Sequence, residues 1–315
     1  MRKPKVLITG AAGFIGSQLF VKLRDYGYEV RGLDNFNDHL YDPKLKYDRV
    51  KEFRLDCTVT DLCDIDALRR DVQFFRPSTV IHLAAMAGVR DSFGKEREYH
   101  LTNIGGTQNL IDVCKGLDDP PRVVYASTSS VYGGTKTLPW VEDRVDGHQL
   151  NAYAYTKYVN ECQFLNSGLY NNGLRFFTVY GPWGRPDMAL FKFTKSILDG
   201  EKIDVYNYGD MKRDFTYVDD ILNGIQLVME AEPTTGEIFN IGRGRQVNLM
   251  EFVQAIEKSC GKEANINMMP RHPADTLETW SDTTKLQQLG YEPKVDVEVG
   301  IQNFVEWYKW YNGVN

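Results

Sequence analysis

Short apolar, β-branched runs alternate with longer amphipathic segments through the first half of the chain. The runs are K-V-L-I-T (5–9), Y-E-V-R-G-L-D (28–34), V-K-E-F-R-L-D (50–56), T-V-I-H-L-A (79–84), R-V-V-Y-A-S (122–127) and L-R-F-F-T-V (174–179). Between them the spacing predicts helices over 61–75, 98–115 and 152–170. Near-continuous apolar strands, each followed by a helix, build a parallel sheet covered on both faces. Crossovers of that kind are right-handed, so the expected fold class is α/β, a Rossmann-type doubly wound parallel sheet. After residue 180 the stretch G-P-W-G-R-P (181–186) breaks the rhythm. Helices expected at 188–199, 216–231, 249–259 and 296–312 then alternate with shorter strands. This predicts a first domain at 1–179, to which 215–242 returns, and a smaller C-terminal lobe at 180–315.

Composition narrows the picture. The 315 residues are 42% hydrophobic and 25% charged, without repeats or low-complexity tracts, as in a soluble globular protein. A net charge of −6 with no Lys/Arg cluster excludes a general nucleic-acid surface. No apolar run approaches the ~20 residues needed to span a bilayer. Gly10, Gly13, Gly16 and the polar Ser17–Gln18 interrupt the first apolar run, so it does not read as a signal peptide. Five cysteines (Cys57, Cys63, Cys114, Cys162, Cys260) with no CxxC pair predict reduced thiols, a cytoplasmic location and no metal site.

The first strand runs directly into G-A-A-G-F-I-G, with Gly10, Gly13, Phe14, Ile15 and Gly16 at the strand-to-helix turn. Glycine there lets backbone N–H groups approach a pyrophosphate at the positive end of the following helix. The second strand ends in L-D-N, which puts Asp34 and Asn35 at its carboxyl end, 18 residues after Gly16. A carboxylate at that place accepts from the ribose hydroxyls of NAD and repels the extra phosphate of NADP. Asp56, ending the third predicted strand, is a candidate partner for the adenine amino group. Leu83, Ala84 and Ala85 close the fourth, small enough for a cofactor to lie against the backbone. The first domain is expected to bind NAD, and the lobe a substrate.

One helix carries the candidate chemistry. In N-A-Y-A-Y-T-K-Y, Tyr153 and Lys157 are four apart and share a helical face, while Tyr155 points elsewhere. A free phenol titrates near about 10 and is a poor base at neutral pH, but an adjacent ammonium favours the phenolate. A hydroxyl beside the tyrosine is then wanted for the reacting oxygen. Y-A-S-T-S-S-V-Y (125–132) supplies several after the fifth strand, at the sheet edge where ligands bind.

These residues resemble the extended short-chain dehydrogenase/reductase superfamily, in its nucleotide-sugar epimerase/dehydratase branch, over essentially the whole chain. H-L-A-A-M-A-G-V-R-D-S (82–92), N-I-G-G-T-Q-N-L (103–110) and K-R-D-F-T-Y-V-D-D-I (212–221) are similar to that branch's signatures. R-F-F-T-V-Y-G-P-W-G-R-P-D-M-A-L-F-K-F (175–193) and V-Y-N-Y-G-D-M-K-R-D-F-T-Y (205–217) most resemble its UDP-glucuronate 4-epimerases. The resemblance implies Thr128 as the hydroxyl partner of Tyr153, with Lys157 holding the nicotinamide ribose and Asn103 and Phe177 near the cofactor. It further implies a UDP-sugar lying against Ala87, Gly88, Val89, Arg90, Thr128, Ser129, Ser130, Thr178, Arg185, Met188, Arg213 and Asp275. Arg213 would meet the diphosphate, and 188–206 would fold over the uridine nucleotide.

Neighbours of Thr128 separate the subfamilies. Dehydratases of the branch carry Thr-Asp-Glu and decarboxylases Thr-Ser-Glu, whereas here Thr128-Ser129-Ser130 lacks a carboxylate. The implied reaction is therefore epimerisation at C4 of UDP-glucuronate through a 4-keto sugar, with NAD bound throughout. A 4-keto uronate is a β-keto acid, and Arg185 is the expected cation for its carboxylate, with Thr178, Ser129 and Ser130 as further donors. Alternatives are a UDP-glucose/UDP-galactose 4-epimerase, a UDP-glucuronate decarboxylase or, in a different class, a non-catalytic NAD-binding sensor. Homodimerisation through 98–115 and 152–170 is implied as well. Two departures stand out: H-P-A-D (272–275) where relatives have Pro-Gly-Asp, and Y-A-Y-T-K for Y-A-A-T-K. Arg271 stands beside His272 as a substitute phosphate contact.

Overall fold

The computed structural model describes residues 3–271 and 275–314. These residues divide into two compact units, the first comprising 3–135, 144–175 and 225–239, the second 136–143, 176–224, 240–271 and 275–314.

In the first unit the strands are β1 (Lys5–Thr9), β2 (Glu29–Asp34), β3 (Cys57–Val59), β4 (Thr79–His82), β5 (Arg122–Thr128) and β6 (Asn171–Phe176). Interleaved helices are α1 (Phe14–Asp25), α2 (Lys44–Phe53), α3 (Ile65–Phe75), α4 (Glu96–Tyr99), α5 (Gly106–Lys115) and α6 (Ala152–Leu165). From α4 the chain enters α5 through a π-helical stretch, His100–Gly105. Later in the chain come β7 (Thr178–Tyr180), α7 (Ala189–Asp199), β8 (Lys202–Val205), β9 (Lys212–Arg213), β10 (Phe215–Tyr217) and α8 (Val218–Glu230). Last are β11 (Thr235–Ile241), β12 (Val247–Asn248), α9 (Leu249–Cys260), β13 (Asn265–Met268), α10 (Thr284–Gln287) and α11 (Val297–Asn312).

The main sheet has seven strands in the order β11-β6-β5-β4-β1-β2-β3, the doubly wound order with its switch between β1 and β4. Val6 pairs with Val30 on one side and with Thr79 on the other, both parallel. Leu7, Val80 and Val123 are wholly buried in the sheet and pack with Leu68, Val72 and Leu110 from α3 and α5. That is the two-faced burial which near-continuous apolar strands demand.

One expected strand is absent. The run 50–56 ends α2 instead: Arg54 turns out at φ 50, and the third strand begins at Cys57. Leu45, Lys46 and Arg49 recur at helical spacing and are buried, a pattern that outweighs the short alternation of V-K-E-F-R-L. The expected strand 174–179 is likewise two strands. β6 belongs to the main sheet, whereas β7 pairs with β10 in a separate ribbon.

In the second unit Phe215 stacks on Phe252 with ring centroids 3.9 Å apart. α7 and α11 pack on α9, burying Phe193, Ile256 and Phe304. Asn248 and Glu251 close a capping box at the start of α9. Asp214, fully buried, accepts from the backbone N–H groups of Arg243 at 2.7 Å and Ser281 at 3.0 Å.

Candidate active site

The turn from β1 to α1 is built so closely that only glycine fits. Gly10 has φ +72, and a Cβ there would stand 2.8 Å from the Ala84 nitrogen. A Cβ on Gly16 would stand 2.2 Å from the Gly10 carbonyl oxygen. Gly13 is the N-cap of α1, and Phe14, Ile15 and Gly16 form its first turn, which leaves the first N–H groups of the helix for an anion. Leu83, Ala84 and Ala85 follow β4 beside this turn, and the Ala84 N–H donates to Thr9 Oγ1 at 3.2 Å.

Asp34 ends β2 with its carboxylate buried. Oδ2 accepts from the Ala12 N–H at 3.1 Å and Oδ1 from the Phe36 N–H at 2.8 Å. Lys46 Nζ lies 3.6 Å from Oδ1. Arg49, fully buried, donates to the Ala12 carbonyl at 3.1 Å and to the Tyr41 hydroxyl at 3.0 Å. Sequence reasoning missed both cations because it did not see α2, on which Lys46 and Arg49 lie three apart on one face. Asn35 Nδ2 donates to Asp61 at 2.9 Å. Asp56 has an exposed carboxylate 3.7 Å from Arg31 Nε, and its carbonyl receives the Gly32 N–H at 2.7 Å.

Asn151 starts α6 by accepting the Ala154 N–H at 2.8 Å, which puts Tyr153 in the first turn and Lys157 in the second. Tyr153 is half-buried, Tyr155 is exposed, and Lys157 is only 2% exposed. Burial lowers the Lys157 ammonium from 10.5 to about 8, and the Glu161 carboxylate one turn on opposes that fall. His82 lies in the same region, hydrogen-bonded to Thr9 at 2.8 Å and Thr107 at 3.1 Å. Its burial first, and the nearby Lys157 second, lower it to about 3, so the ring stays neutral.

Behind the tyrosine–lysine pair stands a second pair that the sequence did not disclose. Arg175 from β6 holds Glu161 with two bonds, Nε to Oε1 at 2.9 Å and Nη2 to Oε2 at 2.8 Å. Ser127 Oγ donates to the same carboxylate at 2.6 Å. Glu161 thereby ties the end of β5, where Thr128 follows Ser127, to the helix that carries Tyr153 and Lys157. The signal available in the sequence was the spacing 153, 157, 161 along one helical face.

Asn103 sits in the π-helical stretch, fully enclosed. Its side chain accepts the Met86 N–H at 2.7 Å and donates to the Met86 carbonyl at 3.0 Å and to Thr156 Oγ1 at 2.9 Å. The Asn103 carbonyl receives Asn160 Nδ2 at 2.8 Å, as a widened helical turn allows. Thr128 is the N-cap of a 3-10 turn, Ser129–Tyr132, and its hydroxyl accepts the Ser130 N–H at 3.2 Å. Ala87, Gly88 and Val89 lead into a short turn that begins at Arg90, which is exposed.

The remaining expected residues belong to the second unit. Phe177 is buried with its ring 6.1 Å from that of Trp140, and its N–H donates to the Ile241 carbonyl at 3.1 Å. The Thr178 N–H donates to the Asp214 carbonyl at 3.1 Å. Met188 is the N-cap of α7. Arg213 Nη1 donates to the carbonyls of Lys212 at 3.0 Å and Leu277 at 2.9 Å. Arg185 differs from expectation in one respect: its Nε and Nη2 already grip Asp187 at 3.0 and 2.6 Å. The Asp275 carbonyl receives Arg271 Nη2 at 3.1 Å. His272, where relatives of the resemblance carry a different residue, lies outside the described residues.

A glycine cradle under a helix N-terminus, a strand-end acid and a Tyr–Lys pair on one helix define a dinucleotide-binding unit of the short-chain dehydrogenase type. A family model for the NAD dependent epimerase/dehydratase family matches residues 6–242, and the chain belongs to that family. It is 43% identical to protein CapI of Staphylococcus aureus, over 96% of this chain and 98% of that one. It is 38% identical to a probable UDP-glucuronate 4-epimerase of Rhizobium meliloti (strain 1021), over 96% of each. Among solved structures, UDP-glucuronic acid 4-epimerase from Bacillus cereus in complex with UDP-glucuronic acid and NAD is similar with a TM-score of 0.89. That match is at 33% identity and covers 98% of this chain and 99% of the other.

Proposed function

We propose that the protein epimerises C4 of UDP-glucuronate, giving UDP-galacturonate through a transient 4-keto sugar with NAD held throughout. The observation that carries this reading is Tyr153 one turn from a buried Lys157, with Thr128-Ser129-Ser130 offering hydroxyls and no carboxylate. The relatives and the solved structure named above support the choice of sugar.

The residues present fit NAD: the cradle at Gly10 and Gly16 excludes any side chain, and the buried Asp34 ends β2. Bound NAD supplies reversible oxidation at C4. Tyr153 accepts the proton of the C4 hydroxyl as the carbon is oxidised and returns it when the ketone is reduced from the opposite face. Lys157, its charge kept by Glu161, stabilises the phenolate and holds the nicotinamide ribose. Thr128 orients the C4 oxygen. Thr128-Ser129-Ser130 lacks the acid pair that dehydratases of the branch carry beside this threonine, which disfavours elimination of water.

The uronate carboxylate needs donors that keep it out of alignment for loss of CO2. Ser129 and Ser130 supply these, and Arg185 acts as a cation whose direction is fixed by Asp187. Arg185→Ala is expected to lower kcat/KM for UDP-glucuronate by about tenfold or more, the worth of a charge-assisted hydrogen bond. Turnover of UDP-glucose by the same variant should change less than about twofold, since a neutral sugar makes no such bond. Equal losses on both substrates would remove Arg185 from acid recognition. We assign the uridine diphosphate to Arg213, Met188 and Asp275, and Ala87–Arg90 to the sugar.

The protein is further proposed to be a cytoplasmic homodimer. Leu101, Tyr155 and Leu165 leave 58%, 45% and 59% of their surfaces exposed on the helices expected to pair, and all five cysteines are free thiols. Among the described residues no helix is long and apolar enough to cross a membrane. Sedimentation at micromolar concentration would return a monomer if the dimer assignment is wrong.

Incubation with UDP-glucuronate and no added NAD, followed by NMR of the products, tests the central assignment. UDP-galacturonate without CO2 supports it. A UDP-pentose moves the chain to the decarboxylases.

A further inference from the structure

The segment 35–43, between β2 and α2, starts at the Asp34 carboxylate, which accepts the Phe36 N–H at 2.8 Å. Phe36 then stacks on Tyr47 of α2, centroids 4.6 Å apart. Further along, Leu40 lies against the substrate-side turn, because a Cβ on Gly88 would stand 3.1 Å from Leu40 Cδ2. Next to Leu40, His39 Nε2 is 3.0 Å from the hydroxyl of Tyr99.

Tyr99 is wholly buried at the end of α4. Its hydroxyl is 2.6 Å from the Ala87 carbonyl oxygen and 3.0 Å from that of Gly88. A phenol has one proton, and two oxygens at 2.6 Å repel without one between them, so that proton goes to the Ala87 carbonyl. His39 must therefore be the donor, Nε2–H to the phenol oxygen. The two rings meet edge to face, 5.4 Å apart at 76°. On its other side Tyr99 meets the ring of Tyr153, 6.4 Å apart at 79°.

We infer that His39 is a positioning residue for Tyr153, acting through Tyr99. By donating to the Tyr99 hydroxyl it fixes the ring that both holds the Ala87–Gly88 turn and abuts the catalytic phenol. The segment 35–43 thus leads from the Asp34 carboxylate, at the adenosine end of the cofactor site, to His39, whose contact with Tyr99 reaches Tyr153 at the reacting end. The inference rests on the epimerase reading for its kinetic consequence, but not for its structural one. Oriented donors that hold a base in place act on the chemical step more than on binding.

The test compares wild type, His39→Ala, His39→Gln and Tyr99→Phe, each purified with its NAD. Glutamine keeps an N–H donor, and alanine does not. The expected result for His39→Ala is a kcat about tenfold lower, with NAD content and melting temperature near wild type, whereas Tyr99→Phe, which also takes the phenol donor from the Ala87 carbonyl, should lower kcat, raise KM and melt earlier. His39→Gln should recover kcat to within about twofold. Hydrogen–deuterium exchange gives a reading independent of turnover: peptides covering 84–99 and 150–158 should exchange faster in His39→Ala but not in His39→Gln. Wild-type kcat and exchange in His39→Ala, or equal damage in the alanine and glutamine variants, would overturn the assignment. A wild type that leaves UDP-glucuronate unchanged would sink the substrate reading alone, because the exchange data still judge His39.

Discussion

Tyr153→Phe is expected to lower kcat for UDP-glucuronate by a factor of about 10²–10⁴, the usual contribution of a positioned acid–base group, while NAD stays bound. The ring is half-buried and packs edge-on against Tyr99, and phenylalanine preserves that contact. Only the hydroxyl proposed to take and return the C4 proton is lost. KM should move little, because the interaction removed is made in the transition state. Single-turnover kinetics with NMR detection would measure the loss. A variant retaining more than about a tenth of wild-type turnover would show that another group carries the proton.

Lys157→Met should move activity and stability in opposite directions. The ammonium is almost fully buried and is lowered from 10.5 to about 8, first by burial, with Glu161 working against it. Unfolded chain holds its proton up to the ordinary lysine value, so between pH 8 and 10.5 the unfolded state binds more protons. Stability contributed by this group therefore rises with pH across that window, and below it the full cost of burying the charge is present. That cost is on the order of 3 kcal/mol, from the free energy per pKa unit. Methionine fills a similar volume without the charge, and Glu161 keeps its partners Arg175 and Ser127. Thermal unfolding of NAD-free protein at pH 7 should show Lys157→Met melting several degrees above wild type, an advantage that disappears near pH 10.5. Turnover should fall by about 10² or more, since the proposed contacts to phenolate and ribose both lose the cation. A lower melting temperature at pH 7 would mean that the ammonium is stabilising where it stands.

How far the sequence led can be traced residue by residue. The periodicity that marks a two-faced parallel sheet is strong at 5–9, 79–84 and 122–127, and those strands are present. It is weak at 50–56, where a few alternating residues sat on the end of a helix. Losing α2 also hid Lys46 and Arg49, since their common face exists only once the segment is helical. Tyr153 and Lys157 were legible because both lie on one helix, where sequence spacing is spatial spacing. Glu161 was within reach by the same rule, but Arg175 and Ser127 were not: their bonds to it cross between elements far apart in sequence. The pairing of Arg185 with Asp187, two residues on, was local and was still missed, because it depends on a loop conformation that no periodicity encodes.

In the proposed reaction, oxidation and reduction occur at the same carbon with the cofactor retained. UDP-glucuronate carrying deuterium at C4 tests it most directly. The expected product is UDP-galacturonate with deuterium still at C4, without exchange with solvent and without release of CO2. Protium at C4 of the product, or deuterium at C4 of a UDP-pentose, would contradict it.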